Sequence, residues 1–198
     1  MNILIGLAGC AQSGKDSAAS ALIQDGFERR AFADKVRDYL YRLNPNLDYF
    51  EDHYEEPYPL ADIVDLLGWD RAKTEIPEVR ELLQRCGVAA RDVLGEDVWV
   101  NATMRSLPAL TVITDVRFPN EVTAIRESGG IVLRIVRKGV ERPVMADGSI
   151  HVSETALIGT TFDGTIYNDH GLSDLHLMTR WWVDWFRNSQ RFAPGGTT

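Results

Sequence analysis

The chain has 198 residues, a formal net charge of −8 at pH 7, 44% hydrophobic residues and 25% charged residues. That length fits one domain, or one domain with a lid, and can bury a core. The acidic balance argues against a nucleic-acid polymer as partner, because backbone binders carry a basic surface, but leaves room for a small anion held by local arginines and lysines. No run approaches the ~20 apolar residues of a membrane span, and no basic-then-apolar leader opens the chain. Two cysteines, Cys10 and Cys86, make neither a disulfide framework nor a zinc site, so a reducing cytoplasm is expected, with no membrane partner.

Taken in order, the first apolar run, Ile3 to Ala8, reads as a strand. Gly9 to Asp16 follow as G-C-A-Q-S-G-K-D, and a helix-like stretch from Lys15 to Asp25 comes next. Strand, G-x-x-x-x-G-K, helix is the context of a phosphate-binding P-loop. Gly9 and Gly14 permit backbone angles and close approach that a Cβ would block. The N–H groups they free sit at a helix N-terminus and attract phosphate, and Lys15 adds a mobile point charge. Asp16 stands where a hydroxyl residue usually helps hold Mg²⁺, and the hydroxyl comes one position later, at Ser17. Asp16 and Ser17 are therefore the candidate metal ligands.

Phe27 to Phe32 reads as a second strand and Ala33 to Leu43 as a helix. Asn44 to Pro59 is irregular, and its acidic run reads as a solvated loop. Leu60 to Leu67, Val79 to Leu94 and Val98 to Ser106 read as helices, with Leu82, Leu83, Cys86 and Val93 as the expected buried stripe of the middle one. Leu110 to Thr114 is a buried parallel strand, Pro119 to Ser128 a helix with proline in its first turn, and Ile131 to Val136 a β-branched strand. Lys138 to Ser153 is polar and glycine-containing, and is expected to be a lid. Gly164 to Tyr167 reads as a short strand and Asn168 to Gly171 as a turn. Leu172 to Arg187 is an amphipathic helix whose aromatic residues serve packing, and 193–198 a disordered tail. Strands alternating with helices behind a P-loop predict an α/β fold, a three-layer parallel sheet with ligands beyond the carboxyl ends of the strands. A single domain over 1–198 is expected, with a helical substrate region at 33–100 and the lid at 138–153.

The second informative segment is Thr114 to Val122, T-D-V-R-F-P-N-E-V. Asp115 ends a core strand, where a kinase places a metal- or hydroxyl-binding carboxylate, and Arg117 follows within reach of the same cleft. Moving a γ-phosphoryl group needs positioning and charge neutralisation more than a strong base. Arg37, Arg80 and Arg117 are candidates for an acceptor phosphate. Arg134, Arg137 and Arg142 flank or enter the expected lid, whose closing would bring Arg137 or Arg142 onto the transferring phosphoryl group, and Trp99 or Tyr39 could stack on a base.

With these pieces in place the sequence resembles the deoxynucleoside monophosphate kinases of bacteriophages and their bacterial relatives. The resemblance is carried by G-C-A-Q-S-G-K-D-S near the start, F-A-D-K-V-R at 32–37, R-E-L-L-Q-R-C-G at 80–87, E-D-V-W-V at 96–100 and D-V-R-F-P-N-E-V at 115–122. It continues with H-V-S-E-T at 151–155 and N-D-H-G at 168–171. It implies a P-loop nucleoside/nucleotide kinase-like fold and use of ATP and Mg²⁺. It also implies ATP contacts from Ala11, Gly14, Lys15, Asp16 and Ser17, and monophosphate contacts from Arg37, Gly87, Trp99, Asp115, Arg117 and Glu121. Arg37 replaces a lysine of the family and Val88 a small hydroxyl residue. Lys15, Asp115, Arg117 and Arg142 are the expected catalytic set. A phage-encoded relative would act in the host cytoplasm, and a homodimer is left open. The alternatives are a P-loop kinase of another small acceptor, as in dephospho-coenzyme A kinases, and a nucleotide-dependent regulator, for which no guanine-reading N-K-x-D element is present.

Overall fold

Alternation along the first strand explains the layering. In the computed structural model, which describes residues 2–47, 57–140 and 155–191, β1 (Ile3–Ala8) is buried along its whole length. Its odd residues, Ile3, Ile5 and Leu7, join a core cluster with Ala18, Ala19 and Leu22 of α1 (Lys15–Gln24) and Leu175, Val183 and Phe186 of the last helix. Gly6 points the other way, and a Cβ there would stand 2.7 Å from Ile125 Cδ1 on a different helix. Opposite pointing of neighbouring side chains therefore puts helices on both faces of one sheet.

The other elements follow chain order: β2 (Glu28–Arg30), α2 (Phe32–Leu43), β3 (Asn46–Leu47), β4 (Tyr58–Pro59), α3 (Leu60–Glu75), α4 (Pro77–Leu94), α5 (Val98–Met104), β5 (Leu110–Val116), α6 (Pro119–Glu127), β6 (Ile131–Val136), β7 (Gly164–Tyr167) and α7 (Leu172–Arg191). The main sheet has five strands in the order β2-β5-β1-β6-β7. Every pairing in it is parallel. The expected α/β fold with a parallel three-layer sheet and a P-loop behind its first strand is thus present. Register brings the carboxyl ends together: Ala8 pairs with Val116 on one side and Arg134 on the other, and Val136 pairs with Tyr167.

The chain divides into two compact units, Met1–Ala31 with Thr103–Thr198, and Phe32–Ala102. The first holds the sheet. Trp182 of α7 packs against β7 there, on a glycine: a Cβ at Gly164 would collide with the indole ring. Of the other α7 tryptophans, Trp181 and Trp185 are exposed and stack edge-on against Trp182.

The second unit has its own core of Val36, Leu40, Leu47, Leu60, Ile63, Val64, Ala72, Ile76 and Val79. The α3 segment runs past the expected end at Leu67, because Gly68 at φ 73° breaks the helix and lets a second piece continue to Glu75. The expected stripe on α4 needs correction. Leu82, Leu83 and Cys86 pack partly buried against the core, whereas Val93 is 80% exposed. The fully buried anchor is Val79, in the first turn after Pro77, so the far end of α4 has no core to cover. The tail at 193–198 and most of the segment expected to be a lid, 141–153, lie outside the described residues.

Candidate active site

The loop between β1 and α1 is shaped by its two glycines. Gly9 has φ 149° and Gly14 φ 104°. A Cβ on Gly9 would collide with Ile135 O of β6, and one on Gly14 with Asn168 Nδ2, so neither position has room for a side chain. Gln12 adds a left-handed φ of 62° without being glycine, a modest strain of the kind that collects at functional loops. Lys15 folds back across the loop, its Nζ donating to Gly9 O at 2.8 Å and Cys10 O at 2.7 Å. Two carbonyl dipoles thereby hold the ammonium at the mouth of the loop. Asp16 is exposed; Ala11, Gly14 and Ser17 are half-buried.

Ser13 was not among the expected contacts, yet it is the most unusual polar group of the loop. It is buried, and among the described residues its Oγ has no hydrogen-bond partner. Buried hydroxyls are rarely left so, and such a group calls for an explanation in ligand, water or strain.

At the end of β5, Asp115 and Arg117 are half-buried. Glu121 is almost wholly buried, and its Oε2 accepts the backbone N–H of Arg117 at 2.6 Å and of Phe118 at 2.9 Å. A carboxylate in the first turn of α6 thus satisfies two donors of the preceding turn, which fixes where Arg117 leaves the strand. In this structure that is a positioning task.

One cavity borders the loop and a second lies beside the start of α1. One of about 380 Å³ is lined by Gly9, Cys10 and Ser13 of the loop, by Arg117, Arg134 and Arg137, and by an apolar wall that includes Phe162. The Arg134 guanidinium lies 5.7 Å from the centre of the Phe162 ring, a cation–π contact. The other, of about 360 Å³, is lined by Ser17 at the start of α1, Arg137, Lys138, and the turn and helix start from Asn168 to Leu175. Arg137 borders both. The sequence singled out the basic residues here; it gave no sign that Phe162 backs them.

Of the remaining expected residues, Arg37, Gly87 and Trp99 belong to the second unit. Arg37 Nη1 bonds Asp34 Oδ1 at 3.1 Å within α2. Trp99 Nε1 donates to Gly87 O at 3.0 Å, and the Trp99 ring meets Tyr39 edge-on at 6.2 Å. Gly87 sits inside α4 and Arg80 is exposed on it. Burial pushes the Cys86 thiol above its ordinary value, which lowers its thiolate fraction and its reactivity. Arg142 lies outside the described residues.

These groups fit a nucleoside triphosphate tail: a loop with no room for Cβ atoms at its two glycines, an ammonium at its mouth and a buried hydroxyl inside it with no partner among the described residues. Among the described residues no cluster of three or more His, Cys, Asp or Glu side chains could hold a metal ion. Mg²⁺ takes one or two protein oxygens plus substrate phosphates; at the start of α1 the carboxylate of Asp16 and the hydroxyl of Ser17 could supply them, and the ion would neutralise phosphate charge. No described helix is long and apolar enough to cross a membrane.

Comparison with known proteins agrees with the motif resemblance. No family model matches the chain. A protein of Acanthamoeba polyphaga mimivirus named "Putative deoxynucleotide monophosphate kinase" is 27% identical over 188 residues, covering 88% of this chain and 92% of that protein. Among solved structures, dephospho-CoA kinase from Campylobacter jejuni aligns at 14% identity and a TM-score of 0.44, over 96% of this chain and 98% of its own. Shikimate kinase from Aquifex aeolicus aligns at 9% and 0.43, over 96% and 98%. Likeness at that level adds nothing to the topology and site described above.

Proposed function

We propose that the chain transfers the γ-phosphoryl group of ATP to a deoxynucleoside monophosphate, giving ADP and the deoxynucleoside diphosphate for DNA precursor synthesis. The observation that carries the proposal is the P-loop, with Lys15 drawn across it, beside a cavity into which Arg117, Arg134 and Arg137 all face. The mimivirus relative, matched over nearly its whole length, supports the choice of acceptor.

In this reading the β- and γ-phosphates lie on the loop N–H groups and Lys15, with Mg²⁺ held by Asp16 or Ser17 and the phosphates. The nucleoside half of ATP leaves the loop toward the cavity beside Ser17. The acceptor phosphate sits against Arg117, whose planar fork can pair two oxygens of the dianion at once, as an ammonium cannot. An oxygen of that phosphate attacks the γ-phosphorus while the bond to the β–γ bridging oxygen breaks and ADP leaves. Asp115 orients the acceptor, or would orient water beside Mg²⁺ were the ion bound. Arg37, Gly87 and Trp99 are assigned to the acceptor, and Arg137 or Arg142 to the transferring group.

A coupled ADP assay tests this. Turnover should depend on an added deoxynucleoside monophosphate, and Arg117→Ala should raise KM for that acceptor far more than KM for ATP, by about tenfold or more. ADP formation that ignores these acceptors but responds to dephospho-coenzyme A or a sugar would reassign the acceptor. Slow turnover indifferent to every acceptor would point to a nucleotide-dependent regulator.

A further inference from the structure

The turn Asn168–Asp169, which the sequence marks as a turn after β7 and as one piece of the resemblance without a role, makes three separate bonds. Asn168 Nδ2 donates to Ser13 O of the P-loop at 3.0 Å. The Asn168 backbone N–H donates to Val136 O at 2.7 Å. Asp169 Oδ1 accepts the Lys138 N–H at 2.9 Å. Val136 and Lys138 are the two neighbours of Arg137. The backbone on both sides of Arg137 is therefore pinned by two adjacent residues, one of which, Asn168, also grips the phosphate loop.

Arg137 itself is exposed, and among the described residues no hydrogen bond or ion pair engages its guanidinium. It borders both the cavity lined by the loop and the one beside the start of α1. The other arginines are differently placed. Arg134 borders one cavity only and lies over Phe162, and Arg117 borders that same cavity. Gly14 enters the same argument: its missing Cβ is what lets the Asn168 amide reach the loop.

We propose that Arg137 is the catalytic arginine that contacts the transferring phosphoryl group, and that Asn168 and Asp169 are positioning residues holding it in a fixed relation to the P-loop. Charge builds on the transferred group between donor and acceptor, where a guanidinium at the junction of the two cavities would sit. A fixed attachment matters because a misplacement of about 1 Å can cost two orders of magnitude in rate. The assignment rests on the phosphoryl-transfer reading but not on the acceptor's identity, since Arg137 meets the group being transferred.

The test measures kcat and KM of the full chain with ATP, both with a deoxynucleoside monophosphate and as background ATP hydrolysis. Arg137→Ala should lower kcat about 10²–10³-fold with KM for both substrates within about threefold, and millimolar guanidine should restore part of the lost rate. Asp169→Ala should lower kcat about tenfold at unchanged KM, while Asp169→Asn, which keeps an acceptor oxygen for Lys138 N–H, should stay within about twofold of wild type. Asn168→Asp, which turns a donor into an acceptor facing Ser13 O, should also raise KM for ATP. Arg137→Ala with more than half the wild-type kcat, or with a raised KM and an unchanged kcat, overturns the assignment. Asp169→Asn as slow as Asp169→Ala overturns the clamp. Wild-type turnover that ignores deoxynucleoside monophosphates sinks the acceptor reading alone, because the Arg137 effect is still read on ATP hydrolysis.

Discussion

The two compact units treat their candidate residues in opposite ways. In the sheet unit, Ser13 Oγ lacks a partner among the described residues, Arg137 is unengaged there, and open cavities adjoin the phosphate loop. In the helical unit, Trp99 Nε1 is bonded to Gly87 O and Arg37 to Asp34. A polar group already bonded inside its own unit must give up that bond to meet a ligand, whereas an unbonded one gains outright. On the phosphate side Ser13 and Arg137 are thus set up for ligand as they stand, whereas Lys15 must trade its two loop carbonyls for phosphate. The residues carried over by motif in the helical unit also have structural work, so their effects on stability and on KM must be separated.

The sharpest way to break this contrast is at Lys15. Its ammonium is both the proposed phosphate contact and the link between two loop carbonyls. Lys15→Ala should remove about 3–4 kcal/mol of transition-state stabilisation, read as a loss of several hundredfold in kcat/KM. Only a small change in thermal midpoint is expected, because the side chain is half-buried and its partners are loop carbonyls that water can reach. Retention of more than a few per cent of wild-type kcat would remove the loop from the chemistry.

Glu121 is the intermediate case. The sequence resemblance makes it a substrate contact, and the structure shows its Oε2 holding the N–H groups of Arg117 and Phe118. Glu121→Ala leaves two donors short of a partner and should cost about 1–3 kcal/mol in a urea unfolding experiment. Glu121→Gln keeps one acceptor oxygen and should recover most of that stability. If it does so while KM for the acceptor rises tenfold or more, Glu121 is a direct contact after all.

What the sequence made legible follows the same division. The P-loop and the strand and helix on either side of it could be read because glycine spacing, an apolar run and a lysine are each dictated by local geometry, and Gly9 and Gly14 do have no room for a Cβ. The D-V-R-F-P-N-E segment was legible as a site but not as a mechanism. That one Glu121 oxygen would serve two backbone N–H groups depends on how the turn folds. Asn168 and Asp169 looked like ordinary turn formers, since their bonds to Ser13 and Lys138 span long stretches of chain. The stripe on α4 failed at Val93 for a related reason: helical spacing tells which residues share a face, not how far along the helix a neighbour extends to cover it.

The smallest expected effect lies in the helical unit and decides what Trp99 is for. Its indole N–H donates to a helix carbonyl in α4, and its ring meets Tyr39 on α2. The side chain thus joins three helices of one unit. Trp99→Phe keeps an aromatic ring but loses the donor, leaving Gly87 O to water or to no partner. Loss of one neutral hydrogen bond at a half-buried site costs about 1 kcal/mol. A structural Trp99 predicts that loss in unfolding free energy, with KM for the acceptor changed less than twofold. A Trp99 that stacks on the acceptor base predicts a different split. Phenylalanine would retain part of the stacking, so KM would rise a few-fold, and Trp99→Leu, without an aromatic face, would raise it much further at similar stability. The ratio of KM changes in the two variants, set against their unfolding free energies, separates a residue that braces the helical unit from one that reads the base.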